Sequence, residues 1–390
     1  MPTAVLDLDP ERLTEGLKLS PRYDSALVLL RVGGRPAGQA VLSLDGRALD
    51  PCELRHLLLK GANSTYWEAW LSERLGLPEQ ADSWTPSGAT ATVVICTRDR
   101  TEDLRRCLTA LLAMPDDGHD ILVVDNAPAT NDTRLLLQSF PSVHYVREDR
   151  PGLDVARNRA LLEANTEIIA FTDDDAIVDP LWLRMILRNF RDPLVMAVTG
   201  LTMASELETS AQVSFQRYSG FVRGFRRVTY DTLDINPMFA WHVGAGVSMA
   251  LRREVLECVG SFDEALDAGT PTQAGGDTDM FRRILKAGYR ITYDPAALNW
   301  HRHRRTETEL QRQIRGYEIS GGAVLCRALL FEGDLGAAAH GLLRMFRELH
   351  GAARAFRGRP SFATLKPYLL RIGAFISGLG LYVYARVRAK

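Results

Sequence analysis

Two rhythms of apolar and polar positions alternate along the first part of the chain. "SALVLLRV" (25–32) and "QAVLSL" (39–44) are β-rich runs, and "GGRPAG" between them reads as a hairpin turn. "DPCELRHLLLKGANSTYWEAWLSERLGL" then carries apolar residues at helical spacing and opens with Asp50 before Pro51, an N-cap followed by a good first-turn residue. "PEQADSWTPSGAT" reads as a linker. Residues 1–88 are thus expected to form an accessory α+β module for packing, oligomerisation or acceptor binding, and they hold no chemical motif.

From Ala91 the texture changes to short apolar runs alternating with amphipathic stretches. Strands are predicted at "ATVVICT", "DILVVDN", "SVHYVRE" and "EIIAFTD", and helices near 101–113, 130–139, 153–163 and 180–190. Strands that are apolar on both faces, each followed by a helix, indicate a parallel α/β sheet covered on both sides. Ligands of such sheets bind beyond the carboxyl ends of the strands, which is where "CTRDR", "VVDNA" and "TDDDA" fall. Beyond about residue 305 the chain reads as a basic helical region, 306–390. Its apolar run Ile372–Ala385, bounded by Arg371 and Arg386, is shorter than the roughly 20 residues that span a bilayer. A buried terminal helix or one lying in a membrane interface is therefore expected rather than a spanning one.

Composition adds three constraints. With 390 residues, 46% of them hydrophobic and 24% charged, the chain is long and apolar enough for a sizeable core. The formal net charge of -1 hides an asymmetry: from Arg302 onward 16 Arg or Lys face 6 Asp or Glu, a charge of +10 that leaves -11 for the rest. A basic tail on an acidic body suits a membrane surface or an anionic ligand, and nucleic acid is not expected as a partner. The five cysteines show no CxxC or zinc-like spacing, so neither disulfides nor a cysteine metal site is expected, and a reducing cytoplasm fits best. "MPTAVLDLDPERL" has no basic stretch followed by an apolar run, so no signal peptide is read.

The chemistry gathers where the run "EIIAFT" ends in Asp173, Asp174 and Asp175. Like charges in a partly desolvated place raise one another's pKa and cost stability unless a cation or hydrogen-bond donors offset them. Carboxylates just past a strand can share Mg²⁺ or Mn²⁺, hard cations that take part of their shell from substrate phosphates. A solvated or helix-capping acidic turn is the plainer alternative, and the deeply apolar strand in front of it weighs against that.

Six segments in fixed order, "VVICTRDR", "ILVVDNA", "GLDVARNRAL", "FTDDDAIVDP", "GAGVSMALRREVLECVGSFDEAL" and "GGDTDMFRRILKAGYRITYDPAALNWHRHRR", resemble the family 2 glycosyltransferases of GT-A fold. The resemblance runs from about Ala91 to Arg305, so a catalytic domain is expected at 89–305, with a mixed or parallel nucleotide-binding sheet flanked by helices. It implies a nucleotide pocket at Thr97, Arg98, Asp99 and Asp125, in which Asp125 accepts the imide N–H of uracil or thymine. Asp99 could equally be the N-cap of the following helix. Arg157 and Asn158 would reach the diphosphate or base. Asp173 would lie near the ribose and Asp175 would hold the metal, while Asp174 is an extra acid that leaves the chelating pair open by one position. Asp277, delivered by Gly275 and Gly276 to a helix start, would be the general base, with Asp279 as the alternative. Gly276 stands where relatives often carry an acid. His301 or His303 would complete the metal shell or touch phosphate, and Trp241 and His242 would border the acceptor.

Other readings fare worse. "CTRDRTEDL" lacks the glycines of a dinucleotide-binding turn, no GxxxxGK[ST] occurs, and the glycine-rich loop of a sugar nucleotidyltransferase is missing. A non-catalytic nucleotide-sugar-binding subunit remains, against which the intact Asp175 and Asp277 argue. The residues and the resemblance together lead to the expectation of an inverting, metal-dependent glycosyltransferase acting on a UDP- or dTDP-type donor and an acceptor hydroxyl, in the cytoplasm, with peripheral contact at the inner membrane face as a further option.

Overall fold

The computed structural model describes residues 2–44, 47–77, 88–218, 220–358 and 361–388. Most of the linker expected at 78–90 lies outside them. The first unit holds β1 (Thr3–Leu8), β2 (Ser25–Val32), β3 (Arg35–Ser43), α1 (Pro51–Gly61) and α2 (Ser64–Arg74). β2 and β3 form the expected hairpin with a tighter turn: Gly33 and Gly34 alone reverse the chain, at φ of 58° and 83°, and Pro36 already belongs to β3. Proline is tolerated there because β3 is an edge strand, while β1 pairs in parallel with the other side of β2. β1 is not among the strands predicted. Asp50 caps α1 as expected, accepting from the amides of Cys52 and Glu53 at 2.8 and 2.9 Å.

The module packs against the large sheet. Leu27 and Leu29 of β2 share a cluster with Leu201, Met203, Tyr293 and Leu298, and Arg31 pairs with Asp179 at 2.8 Å.

The large sheet and its covering helices comprise β4 (Ala91–Thr97), α3 (Thr101–Leu112), β5 (Asp120–Asn126), α4 (Asp132–Leu137), β6 (Val143–Glu148), α5 (Leu153–Glu163), β7 (Ile168–Asp173) and β8 (Ala176–Val178). There follow α6 (Trp182–Leu187), β9 (Val195–Ala204), α7 (Ser210–Tyr218), β10 (Val228–Tyr230), β11 (Ser248–Arg252), α8 (Val255–Cys258), α9 (Gly276–Lys286) and β12 (Arg290–His301). The strand order is β10-β12-β9-β11-β7-β4-β5-β6, with β8 paired to β12. β7, β4, β5 and β6 run parallel, as their apolar, helix-alternating pattern predicts, and β11 enters antiparallel between β7 and β9. β9 and β12 are buried along nearly their whole length. β12 hides from pattern reading because Pro295 interrupts it, and a register shift between Asp294 and Leu298 absorbs that proline.

The carboxyl-terminal helices α10 (Glu307–Glu332), α11 (Leu335–Gly358) and α12 (Phe362–Arg388) complete the chain. α10 and α12 cross closely through glycines: a Cβ on Gly322 would sit 2.0 Å from the Phe375 carbonyl, and one on Gly378 2.0 Å from that of Ile319. The pair clamps the loop before α9, where the Tyr382 hydroxyl donates to Asp263 at 2.7 Å and Arg327 and Arg386 also meet that carboxylate. Within α12 the segment Ala363–Arg388 is, by length and composition, long and apolar enough to cross a membrane, because the helix extends well past the 14-residue run.

Candidate active site

Parallel register places Thr97 of β4 opposite Asp125 of β5, and Cys96 opposite Asp173 of β7, so three predicted site residues line one sheet edge. The chain then turns through Asp174 and Asp175 into β8, whose Ala176 pairs with His301 at the end of β12. That pairing brings His301 Nε2 to 3.2 Å from Asp175 Oδ1. Asp173, Asp175 and His301 each present a ligand atom, all within 4.8 Å of one another, a donor set of two carboxylates and an imidazole that fits Mn²⁺ or Mg²⁺.

Asp174 points elsewhere. It accepts from the Thr97 hydroxyl at 2.7 Å and from Arg100 Nη1 at 2.7 Å, and burial, opposed by Arg100, leaves its carboxyl pushed up to about 7. Arg100 also meets Asp175 at 2.8 Å. Burial and then the Asp175 charge push the Asp173 carboxyl up. Asp175 is pushed up by burial too, but His301 and Arg100 outweigh that and hold it well below the usual carboxylate range. Arg100 is the residue sequence reasoning missed, although it closes the same "CTRDR" loop; an arginine facing a run of three acids across a parallel sheet was the available signal.

His303 lies behind this group. Its Nδ1 is 3.3 Å from His301 Nδ1, its Nε2 is 3.1 Å from Gln216 Oε1, and burial followed by the neighbouring imidazole pushes it down to about 3. It stays neutral and orients His301.

Along the nucleotide-side edge, Asp125 is fully buried, accepts from the Tyr145 hydroxyl at 3.0 Å and has its second oxygen, Oδ1, without a partner. Arg98 is exposed and only loosely paired with Asp99, at 3.9 Å. Asp99 is not the cap of α3: it adopts φ 53° and accepts from the Ala129 amide at 2.9 Å, tying the loop after β4 to the loop after β5.

Arg157 and Asn158 are both buried in the floor. Arg157 Nη1 meets Asp154 at 2.9 Å and Asp267 at 2.8 Å, and Asp277 and Asp173 also act on its charge. Its charge is thus shared by Asp173 at the end of β7 and Asp277 at the start of α9. Asn158 holds the Phe262 backbone in both directions, donating at 3.0 Å and accepting at 2.9 Å.

α9 begins after Gly275, whose φ of 104° is open to glycine and few other residues. Gly276 is required for a different reason: an ideal Cβ there would lie 1.9 Å from Asp154 Oδ2. The carboxylate of Asp154, from α5, fills the space a side chain would take. Asp277 is half-buried and accepts from the Gly246 amide at 2.7 Å and the Thr278 amide at 2.6 Å. A Cβ on Gly246 would meet both Arg157 Nη2 (2.7 Å) and Asp277 Oδ2 (3.2 Å), so the backbone comes close enough to seat Asp277 beside Arg157. Asp279 does not join Asp277. It is fully buried and held by Arg282 at 3.3 Å, Arg283 at 2.8 Å and Arg327 at 3.2 Å. Trp241, 48% exposed, stacks on His242 with ring centroids 3.5 Å apart, so it is a surface ring rather than core.

The fold is that of a GT-A enzyme. A mannosyltransferase from Pyrobaculum calidifontis, solved in complex with GDP-Man and Mn²⁺, superposes with a TM-score of 0.50 at 20% identity over 82% of this chain and 94% of its own. Residues 92–260 match the family profile described as Glycosyl transferase family 2. It is 28% identical over 249 residues to a pre-mycofactocin glycosyltransferase of Mycobacterium tuberculosis, covering 61% of this chain and 47% of that protein. It is 26% identical over 210 residues to a succinoglycan biosynthesis protein of Rhizobium meliloti, covering 52% of this chain and 63% of the relative. The chain spans less than two thirds of the length of either curated relative.

Proposed function

We propose that this protein is an inverting glycosyltransferase that moves a sugar from a nucleotide diphosphate sugar to an acceptor hydroxyl. The observation that carries the reading is the convergence of Asp173, Asp175 and His301, next to Arg157 and, on its far side, Asp277. Asp173, Asp175 and His301 would hold a divalent metal, which when bound supplies positive charge against the donor's diphosphate. Asp125 suits a uracil or thymine imide, since its buried Oδ1 is an acceptor in need of a donor. Asp277, kept in place by two backbone amides at the start of α9, would take the proton of the attacking hydroxyl. Attack opposite the leaving diphosphate in one displacement inverts the anomeric centre. Thermal-shift screening of nucleotide sugars with and without Mn²⁺ identifies the donor, and NMR of the product then reads its anomeric configuration; retention rejects the mechanism.

The same reading extends to a membrane-bound site of action. On α11, Leu335, Leu342, Phe346 and Leu349 form one exposed stripe at helical spacing, with Arg347, Arg354 and Arg357 along one side. On α12, Leu369, Ile376, Val383 and Val387 form another, opposite the face that packs on α10. Apolar stripes edged by arginine suit an anionic bilayer surface. Cosedimentation with phosphatidylglycerol vesicles should be strong at low salt and weakened by replacing Phe346 and Val387 with Ser; no binding at any salt concentration would remove this part of the proposal.

A further inference from the structure

Three buried or half-buried arginines of this protein share a habit. Arg100 meets Asp174 and Asp175, Arg157 meets Asp154 and Asp267, and Arg188 meets Asp294, each within 2.9 Å. Arg223, in the loop after α7, breaks it. Its Nη1 donates to the carbonyls of Gly220 at 2.9 Å and Val222 at 3.5 Å, and its Nε donates to that of Trp241 at 3.4 Å. No carboxylate pairs with it among the described residues. Burial therefore lowers its pKa, where Arg100 and Arg157 have theirs raised by their partners. A half-buried cation given only carbonyl oxygens lacks the counter-charge that normally offsets its loss of water.

Its surroundings say which side of the site it serves. After burial, the groups that act on Arg223 are Tyr293, Tyr317, Asp277 and Tyr230, and Arg223 in turn acts on His242. None of these belongs to the Asp173, Asp175 and His301 group. Asp277 is the one acid among them, and its oxygens are engaged by backbone amides rather than by the guanidinium. Arg304 is exposed, has no ion pair among the described residues and acts on the same Tyr317, and on Glu309 and His301 as well, so a further positive charge stands nearby.

We infer that Arg223, flanked by Arg304, is an oxyanion subsite for the acceptor: the molecule glycosylated carries a phosphate or carboxylate near the hydroxyl presented to Asp277. This rests on the reading of Asp277 as the base. The planar fork of Arg223 would grip such a group in two-point fashion, and Trp241 and His242 offer a stacked face beside it. A neutral acceptor would leave Arg223 without a counter-charge, so the subsite selects for charge.

The test uses the full chain loaded with Mn²⁺ and whichever of UDP, dTDP and GDP binds most tightly. Binding of glucose 6-phosphate and glucuronate is compared with glucose, and of dodecyl phosphate with dodecanol, by saturation-transfer NMR. Each anion should bind at least tenfold more tightly than its neutral partner; an advantage seen only with dodecyl phosphate would assign the oxyanion to a lipid, and one seen with the sugar anions to a soluble acceptor. In R223Q the advantage should vanish, in R223K part of it should return, and nucleotide affinity should stay within twofold in both. Absence of any charge preference in the wild type overturns the inference, as does an R223Q variant that loses nucleotide affinity as steeply as anion affinity, since Arg223 would then serve the donor. Failure of all three nucleotides to bind the wild-type chain with Mn²⁺ is a separate result, and overturns the glycosyl-transfer reading itself.

Discussion

Asp277 and Asp279 stand two residues apart on α9 and occupy opposite electrostatic settings. Asp279 faces a closed network in which Arg282, Arg283 and Arg327 surround it and Glu332, Asp334 and Lys286 extend the pairing toward the end of α10. Asp277 faces the strand ends, where it, Asp173, Asp174, Asp175, Asp154 and Asp267 are served by Arg100, Arg157 and His301. In the first region every acid meets a cation and the helices are tied together. In the second, acids outnumber cations, and the shortfall marks where a ligand's charge belongs. A carboxylate's role is thus set by its counter-charges more than by its place in a motif.

The sharpest way to break this contrast is to neutralise each aspartate in turn. Asp277→Asn should lower transfer by up to about 10⁴-fold, the loss of a general base, and leave the urea unfolding midpoint where it was. Asp279→Asn should do the reverse, lowering stability by about 3–5 kcal/mol because three buried or half-buried guanidinium groups lose their shared partner. Transfer per folded molecule, measured well below the unfolding midpoint, should then stay within a few-fold of wild type. If the two variants exchange phenotypes, the assignment of base and strut is reversed.

What the sequence disclosed follows the same line. The parallel strands β4 to β7 were legible because their apolar runs are continuous and each is followed by a helix, and the placing of the candidate site at their carboxyl ends followed from them. β9 and β12, equally buried, were not, since their neighbours in the sheet are distant in sequence and Pro295 breaks the second. The acid run was marked by residue type and by the apolar strand before it, and the resemblance implied Asp173 and Asp175 within it, with either His301 or His303. Their pairing partners were not: Arg100, the outward turn of Asp174, the burial of Arg157 and the enclosure of Asp279 all depend on which elements lie side by side. A linear pattern can mark an acid as unusual, but tertiary packing supplies or withholds its cation.

Gly276 joins the two regions and gives a smaller handle. Its missing side chain leaves room for Asp154, so Gly276→Ala puts a methyl group within a bond length or so of a buried carboxylate oxygen, 1.9 Å in the undisturbed backbone. The expected cost is about 3 kcal/mol, the upper end of overpacking, read as a lowered urea midpoint. Asp154→Gly in the same chain should recover part of the packing loss while releasing Arg157 from one of its two acids. If the alanine is accommodated at no cost, Asp154 is not held against the start of α9 as the geometry implies.

The paired network can be sharpened by pH. Glu332 accepts from Arg282 at 2.8 Å and Arg327 at 2.7 Å and lies 3.0 Å from Lys286, with Asp334 close to the same lysine. Burial alone would raise its carboxyl, but Arg282 first and Lys286 after it bring it down to about 2. A carboxylate whose folded pKa lies below its unfolded value adds stability above the unfolded value, near 4.3, and that stability is lost as pH falls toward the folded one. With the side chain about a fifth exposed, the contribution is about 2 kcal/mol once solvent screening is discounted. Glu332→Gln should therefore unfold at lower urea than wild type at pH 7, and the gap should close as pH falls from about 4.5 toward 2, with transfer activity of the folded chain unchanged at neutral pH. A gap that stays constant across that range would mean Glu332 contributes by packing rather than by charge, and the pairing that separates this region from the strand-end site would have to be carried by Asp279 alone.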